Sequence, residues 1–237
     1  MLKLREKEGK PKKAIMHIAL TMHGMEKWSE QKKVPIQETY KKSFSILKDV
    51  IELQVKNNLP ILTIYVLPEQ LKKEDQFPSF LDELIGFLNS IKSSSLLHEN
   101  KIKISALGKW YDVPGRAVDV IKEVLEETKD YDRFFVNLCI NYNGREEVVD
   151  ACRMLGRQIK AGKLDVGAIN KDVIKDNIYS SYFLPPDLVI KNGKIMQTTA
   201  FLLWDSPYAI LYFTQKYFPE FTKHDFEKAL EFYSENK

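Results

Sequence analysis

The chain has 237 residues, 44% of them apolar and 29% charged. That is enough to bury one core and solvate a surface, and it excludes disordered, collagen-like and disulfide-scaffold chains. A balance of 36 Lys and Arg against 33 Asp and Glu leaves a net charge of +3, too small a bias to argue for nucleic acid as a partner. Cys139 and Cys152, the only cysteines, sit in apolar-periodic segments. Two buried thiols fit a reducing, cytoplasmic setting and are too few for a cysteine-built metal cluster.

In chain order, Met1–Lys13 comes first, with five Lys, one Arg, two Glu and no apolar run. It reads as a flexible basic N-terminal segment and not as a signal peptide. A solvated tail is its plain reading, with peripheral contact to an anionic membrane surface left open. Residues 14–237 follow without linker, repeat or low-complexity tract and read as one domain. Ala14–Met22, Ile61–Leu67, Ile102–Leu107, Phe134–Ile140 and Leu188–Ile190 are β-branched or aromatic runs bounded by turn residues, the pattern of buried strands. The longest apolar stretches, such as Pro60–Leu67, are far shorter than the ~20 residues a spanning helix needs.

Between these runs lie helical periods. Tyr40, Phe44, Leu47, Ile51 and Val55 predict a helix from Gln37 that Asn57-Asn58-Leu59-Pro60 ends. Phe77, Phe80, Leu81, Leu84, Leu88 and Ile91 predict a second, and Pro114 opens a third carrying Val118, Ile121, Val124 and Leu125. Val148, Cys152, Leu155 and Ile159 mark a fourth that stops near Gly162; Asn170 caps a short fifth; Thr222 or Asp225 opens the last. Strands separated by helices imply right-handed crossovers and a mostly parallel sheet.

Ligands of such sheets lie beyond the carboxyl ends of the strands, so the strand-to-helix turns are where chemistry is sought. The first turn carries His23, Gly24, Glu26, Lys27 and Trp28. A turn ahead of a helix offers free backbone N–H groups to a phosphate. His23 there is either a base or ligand or an ordinary turn histidine. The fourth turn, Asn141-Tyr142-Asn143-Gly144-Arg145-Glu146-Glu147, puts two carboxylates where a helix dipole favours them. Its Arg145 either reaches an anion or pairs with a carboxylate.

These turns carry a resemblance. Asn137 to Ala151 is similar to the "LNIALNYGGRDEIVDA" segment of the cis-prenyltransferases, the undecaprenyl and dehydrodolichyl diphosphate synthase family. Phe201-Leu202-Leu203-Trp204 through Tyr208 to Tyr212-Phe213 resembles "NFLLWQ..Y.ELYF", Pro185 to Ile190 resembles "PDPDLLIR", and Leu97 to Ile102 resembles "LHENGVR". Met22-His23-Gly24-Met25-Glu26-Lys27-Trp28 lies where the family has "MDGNGRW". The order is kept from about residue 14 to 232. The resemblance implies a six-stranded, mostly parallel α/β domain. Its hydrophobic tunnel is lined by the helices from Gln37 and Phe77, although Phe80, Leu84, Phe87 and Leu88 alone would read as ordinary core.

It also implies Mg²⁺-dependent condensation of isopentenyl diphosphate onto an allylic diphosphate, and here the chain departs. The family's metal-binding Asp falls on His23, and a neutral imidazole is a poor ligand for Mg²⁺. The family's "RTSGExRxS" falls on Lys191 to Thr199, so that Lys191 replaces an Arg, Ile195 a Glu and Gln197 a second Arg; Ile210 replaces the Glu of "ELYF". Lys is a point charge and does not reproduce an Arg fork. Gly24, Lys27, Trp28, Asn141, Arg145, Lys191 and Lys194 remain as candidate diphosphate-binding residues, His23 is the candidate catalytic residue, and no metal ligand is assigned.

The resemblance therefore implies a divergent member lacking the catalytic Asp, foremost a non-catalytic partner subunit of a two-component prenyltransferase. It would form a homodimer, or a heterodimer with a catalytic subunit, through the aromatic-rich stretch of Phe201, Leu202, Trp204, Tyr208, Tyr212, Phe213 and Tyr217. The ending Tyr233-Ser234-Glu235-Asn236-Lys237 departs from the Arg-x-Gly tail that such partners often donate. The alternative is an atypical isoprenoid-diphosphate enzyme using His23 and lysines in place of Asp, Mg²⁺ and Arg. A third is a protein that binds lipid in the tunnel alone.

Overall fold

In the computed structural model, residues 14–237 are described; the basic segment Met1–Lys13 lies outside them. Six strands form one sheet: β1 (His17–Thr21), β2 (Ile61–Pro68), β3 (Ile102–Leu107), β4 (Phe134–Tyr142), β5 (Leu188–Asn192) and β6 (Ile210–Thr214). Their order is β3-β4-β2-β1-β5-β6, and every neighbouring pair is parallel, from His17 opposite Ile61 to Leu188 opposite Ile210. The expectation of a mostly parallel sheet sharpens to an all-parallel one. Strand order reverses at β1, with β2 on one side and β5 on the other, and this is where an open α/β sheet leaves a crevice.

Eight helices accompany the sheet among the described residues: α1 (Met25–Lys32), α2 (Ile36–Lys56), α3 (Phe77–Lys92), α4 (Ser95–Glu99), α5 (Gly115–Glu127), α6 (Gly144–Lys160), α7 (Lys171–Lys175) and α8 (Lys223–Glu235). The caps are those the sequence offers. Asn170 accepts from two backbone N–H groups of α7, and Thr222 and Asp225 close a reciprocal capping box on α8.

The pleat sorts the strand residues between two faces. Ile18, Leu20, Leu62, Ile64, Val136, Leu138, Leu188 and Ile190 join the main core with residues of α2, α3, α5 and α8. The other face carries Ala19, Tyr65, Cys139 and Val189 under Phe201 and Leu202. It is more polar, with His17, Thr21, Thr63, Asn137 and Lys191 also buried. Of the residues expected along a tunnel, Phe80, Leu84, Phe87 and Leu88 are buried, and Phe44 stacks on Phe87 at 5.3 Å.

Some expectations change. Cys152 is exposed, and only Cys139 is buried. The buried residues of α6 are Gly144, Glu147, Ala151 and Leu155, so a buried carboxyl hid the true phase of the helix. Met25–Lys32, read as a turn, is helix α1. Ile210–Thr214, not read as a strand, is the edge strand β6.

Candidate functional site

Alternation along β1 places His23, two residues past Thr21, on the same face as Lys191 of β5. The two strands are adjacent, so both side chains arrive at the reversal of strand order. With Gly24, Glu26, Lys27 and Lys194 they line a cavity of about 310 Å³, joined by Asn192, Gly193, Ile195, Gln197, Thr199 and Tyr217. Gly24 is required by conformation and by space. It starts α1 at φ 85°, with no side-chain cap on the helix, and a Cβ there would sit 2.1 Å from the Tyr217 ring. The uncapped first turn of α1 therefore opens beside the cavity with its N–H groups free for an anion.

The electrostatics are one-sided. Lys191 is 2% exposed, and the hydrogen bond its ammonium donates is to the Thr199 hydroxyl at 2.9 Å. Burial pulls its pKa down to about 8. Burial first, then the nearby Lys191 charge, pulls His23 down to about 4, so the imidazole is neutral at pH 7. Its Nδ1 is buried without a partner, as are both polar atoms of the Asn192 amide. A buried group left so costs about 1–3 kcal/mol. Lys194 lies over the Tyr217 ring at 5.6 Å, and Lys27 is exposed. These lysines and the unpartnered polar atoms suit a polyanion that brings its own acceptors.

They do not suit Mg²⁺. The carboxylate lining this cavity is Glu26, which accepts a hydrogen bond from Tyr40 Oη at 3.1 Å. Among the described residues no three His, Cys, Asp or Glu side chains are grouped to hold a metal. A hard dication prefers oxygen ligands, and beside Glu26 stand a neutral imidazole and a buried ammonium.

The other candidates lie elsewhere. Trp28 is buried in α1 with Lys42 4.6 Å over its ring and its indole N–H unpartnered. Asn141, the penultimate residue of β4, has φ 49° and donates to the Lys109 carbonyl at 2.9 Å. Arg145 is an exposed residue of the first turn of α6, with its backbone N–H capped by Asn143. The structure brings none of these three into the cavity lining. Ile195 and Gln197 do line it, whereas Ile210 lines a groove with Leu184 and Tyr208 on another face. Sequence reasoning missed Asn192 and Tyr217. Asn192 was findable as the polar end of a buried strand; Tyr217 reaches the site from beyond β6 with no local signal.

Residues 21–237 match the family model described as "Putative undecaprenyl diphosphate synthase". A tritrans,polycis-undecaprenyl-diphosphate synthase (geranylgeranyl-diphosphate specific) of Thermoplasma volcanium is 30% identical over 90% of this chain and 84% of its own. An isoprenyl transferase of Oceanobacillus iheyensis is 28% identical over 93% of this chain and 88% of its own. The lavandulyl diphosphate synthase of Lavandula x intermedia, solved with dimethylallyl diphosphate, superposes with a TM-score of 0.89 at 25% identity, covering 93% of this chain and 95% of that one.

Proposed function

The chain belongs to the undecaprenyl diphosphate synthase family of cis-prenyltransferases, and from that premise we propose that it binds a prenyl diphosphate at the His23–Lys191 cavity and serves a catalytic partner as a non-catalytic subunit. The observation that carries this is the exchange of charge at the cavity. His23 stands neutral where the family places its metal-binding Asp, beside a buried ammonium with no carboxylate partner.

Supporting the partnership is a second surface. Leu184 and Tyr208 are exposed in a groove with Ile210 of the half-buried edge strand β6. Phe201, Leu202 and Tyr217 of the same aromatic stretch serve the chain's own core. Apolar side chains left in water beside an open sheet edge suit an interface.

The test is incorporation of labelled isopentenyl diphosphate into an allylic diphosphate, with Mg²⁺. The chain alone is expected to give negligible product, and His23→Asp is expected not to restore it, because Ile195 and Gln197 still face the cavity. Losing these two charge-assisted contacts, each worth about 1.5–3 kcal/mol, slows the reaction by at least ~10²-fold. Robust elongation by the wild-type chain alone would sink this reading.

That result would promote a second one, an atypical prenyl-diphosphate enzyme working without Mg²⁺. Its specific support is Lys191, whose pKa near 8 and seclusion from carboxylates suit a residue that touches a reacting diphosphate.

A further inference from the structure

Lys191 has a chemistry beyond its charge. From the buried strand β5 it reaches the wall of the 310 Å³ cavity. Its Nζ donates to the hydroxyl of Thr199, an exposed residue that lines the same cavity. That bond holds the amine at the cavity wall. The titratable groups around the cavity are His23, Glu26, Lys27, Lys194 and Tyr217. The carboxylate among them, Glu26, is engaged by Tyr40. The His23 ring is neutral and half-buried.

An amine attacks carbon only as the free base, and a lysine withdrawn from water and from carboxylates holds more of that form. At pH 8 about half of Lys191 is free base, against ~0.4% of an ordinary exposed lysine. Around this amine the cavity is arranged for an anion. The first turn of α1 carries no side-chain cap, and Lys27 and Lys194 stand exposed at the rim. Asn192, 2% exposed, lines the cavity with both atoms of its amide unpartnered. A nucleophile and an anion cradle that open into one space match a ligand with a carbonyl at one end and a phosphate at the other.

We propose that Lys191 is a covalent site, forming a reversible imine with a small aldehyde whose phosphate lies against the first turn of α1 and Lys194. The Nζ lone pair forms the C–N bond. The two Nζ hydrogens then leave with the carbonyl oxygen as water, and the C=N bond remains. No electron is gained or lost, so neither oxidant nor reductant enters. The neutral His23 imidazole borders the same space and is placed to carry a proton from nitrogen to oxygen. The imine goes beyond the prenyl diphosphate reading and shares with it only the anion cradle.

The test treats the full chain with one equivalent of pyridoxal 5′-phosphate, or of pyridoxal, which lacks the phosphate. Borohydride then fixes any imine, and the label is mapped by peptide mass. The expected result is label on Lys191, at least tenfold more from the phosphate compound than from pyridoxal. Its rate is expected to level off above about pH 8, while labelling of exposed lysines climbs toward pH ~10. Label spread over exposed lysines with Lys191 unmarked overturns the proposal, and so does a rate at Lys191 that keeps climbing. Equal labelling by the two aldehydes overturns the phosphate cradle and leaves the reactive amine standing. Excess inorganic diphosphate is expected to block the labelling. Labelling of Lys191 that diphosphate does not slow would count against the prenyl diphosphate reading and leave the imine intact. Lys191→Arg is expected to lose the label, and the wild-type map stands even if that variant does not fold.

Discussion

Lys175 and Lys191 are both withdrawn from solvent on the more polar side of the sheet, and their surroundings are opposite. The Lys175 ammonium sits 2.7 Å from Asp205 Oδ2 and donates to the Ser180 carbonyl at 2.8 Å. The Ser180 hydroxyl adds its own hydrogen bond to the same carboxylate. Lys191, more deeply buried, has a threonine hydroxyl, a neutral histidine and an unpartnered asparagine around it. The first arrangement is complete within the chain and braces the loop ahead of β5. The second leaves its charge without a counter-ion from the chain, and that difference is what supports the proposed anion site.

The sharpest way to break this comparison is to make one substitution at both positions. Lys175→Met strands the buried Asp205 charge and is expected to cost about 3–5 kcal/mol, read as a lower midpoint in urea. Lys191→Met removes a buried charge that has no counter-ion and is expected to hold or raise the midpoint. It is also expected to weaken metal-free diphosphate binding by at least ~10-fold, the loss of one charge-assisted contact. Equal destabilisation by the two variants would mean that Lys191 is also satisfied within the fold.

A smaller effect follows from pH. Lys191 titrates near 8 when folded, against an ordinary lysine value of 10.5, so between these values the unfolded chain holds more protons. Stability of the ligand-free protein is therefore expected to rise with pH across that window, and Lys191→Met to flatten the rise. Diphosphate affinity runs the other way, falling above about pH 8 as the ammonium is lost. Lys191→Arg, whose charge does not titrate there, is expected to abolish that fall. An affinity independent of pH from 7 to 9 in the wild type would separate Lys191 from the anion.

An effect of the same size and opposite sign belongs to the braced region. Burial, only partly offset by the Tyr142 hydroxyl, lifts the Glu147 carboxyl to about 7 from 4.5. The folded state then keeps its proton longer, and stability falls as pH rises through that interval. Glu147→Gln keeps the shape and is expected to remove this fall. His17 and His23, both lowered to about 4 by burial, work in the opposite direction between about 4 and 6.5. The readout is thus the difference between variant and wild-type denaturation curves, and a Glu147→Gln difference that does not change with pH would refute the assignment.

Legibility in the sequence followed burial. The strands from β1 to β5 and helices α2, α3 and α5 announced themselves because each buries a continuous apolar run or stripe. Helix α1 did not, because Glu26, Lys27, Glu30 and Lys32 swamp the Met25 and Trp28 that it buries. Strand β6 did not, because all five of its residues are half-buried and an edge strand has no clean alternation to show. Cys152 was misplaced because Glu147 occupies a buried position of α6 that periodicity assigns to an apolar residue.

By itself the sequence determined an α/β domain with a parallel sheet, its family likeness, and a first turn that carries His23. Hydropathy period and motif order are properties of neighbouring residues, and those are legible without coordinates. Which residues of distant segments meet was decided only by the tertiary structure. Strand order puts His23 of the first turn beside Lys191, some 170 positions later in the chain, and leaves Asn141 and Arg145 outside that cavity. Packing between α2 and α3 sets Tyr40, Phe44, Phe80 and Phe87 ring against ring. A phenylalanine has the same periodicity whether it lines a channel or fills one, and only the distance to the ring opposite tells the two apart.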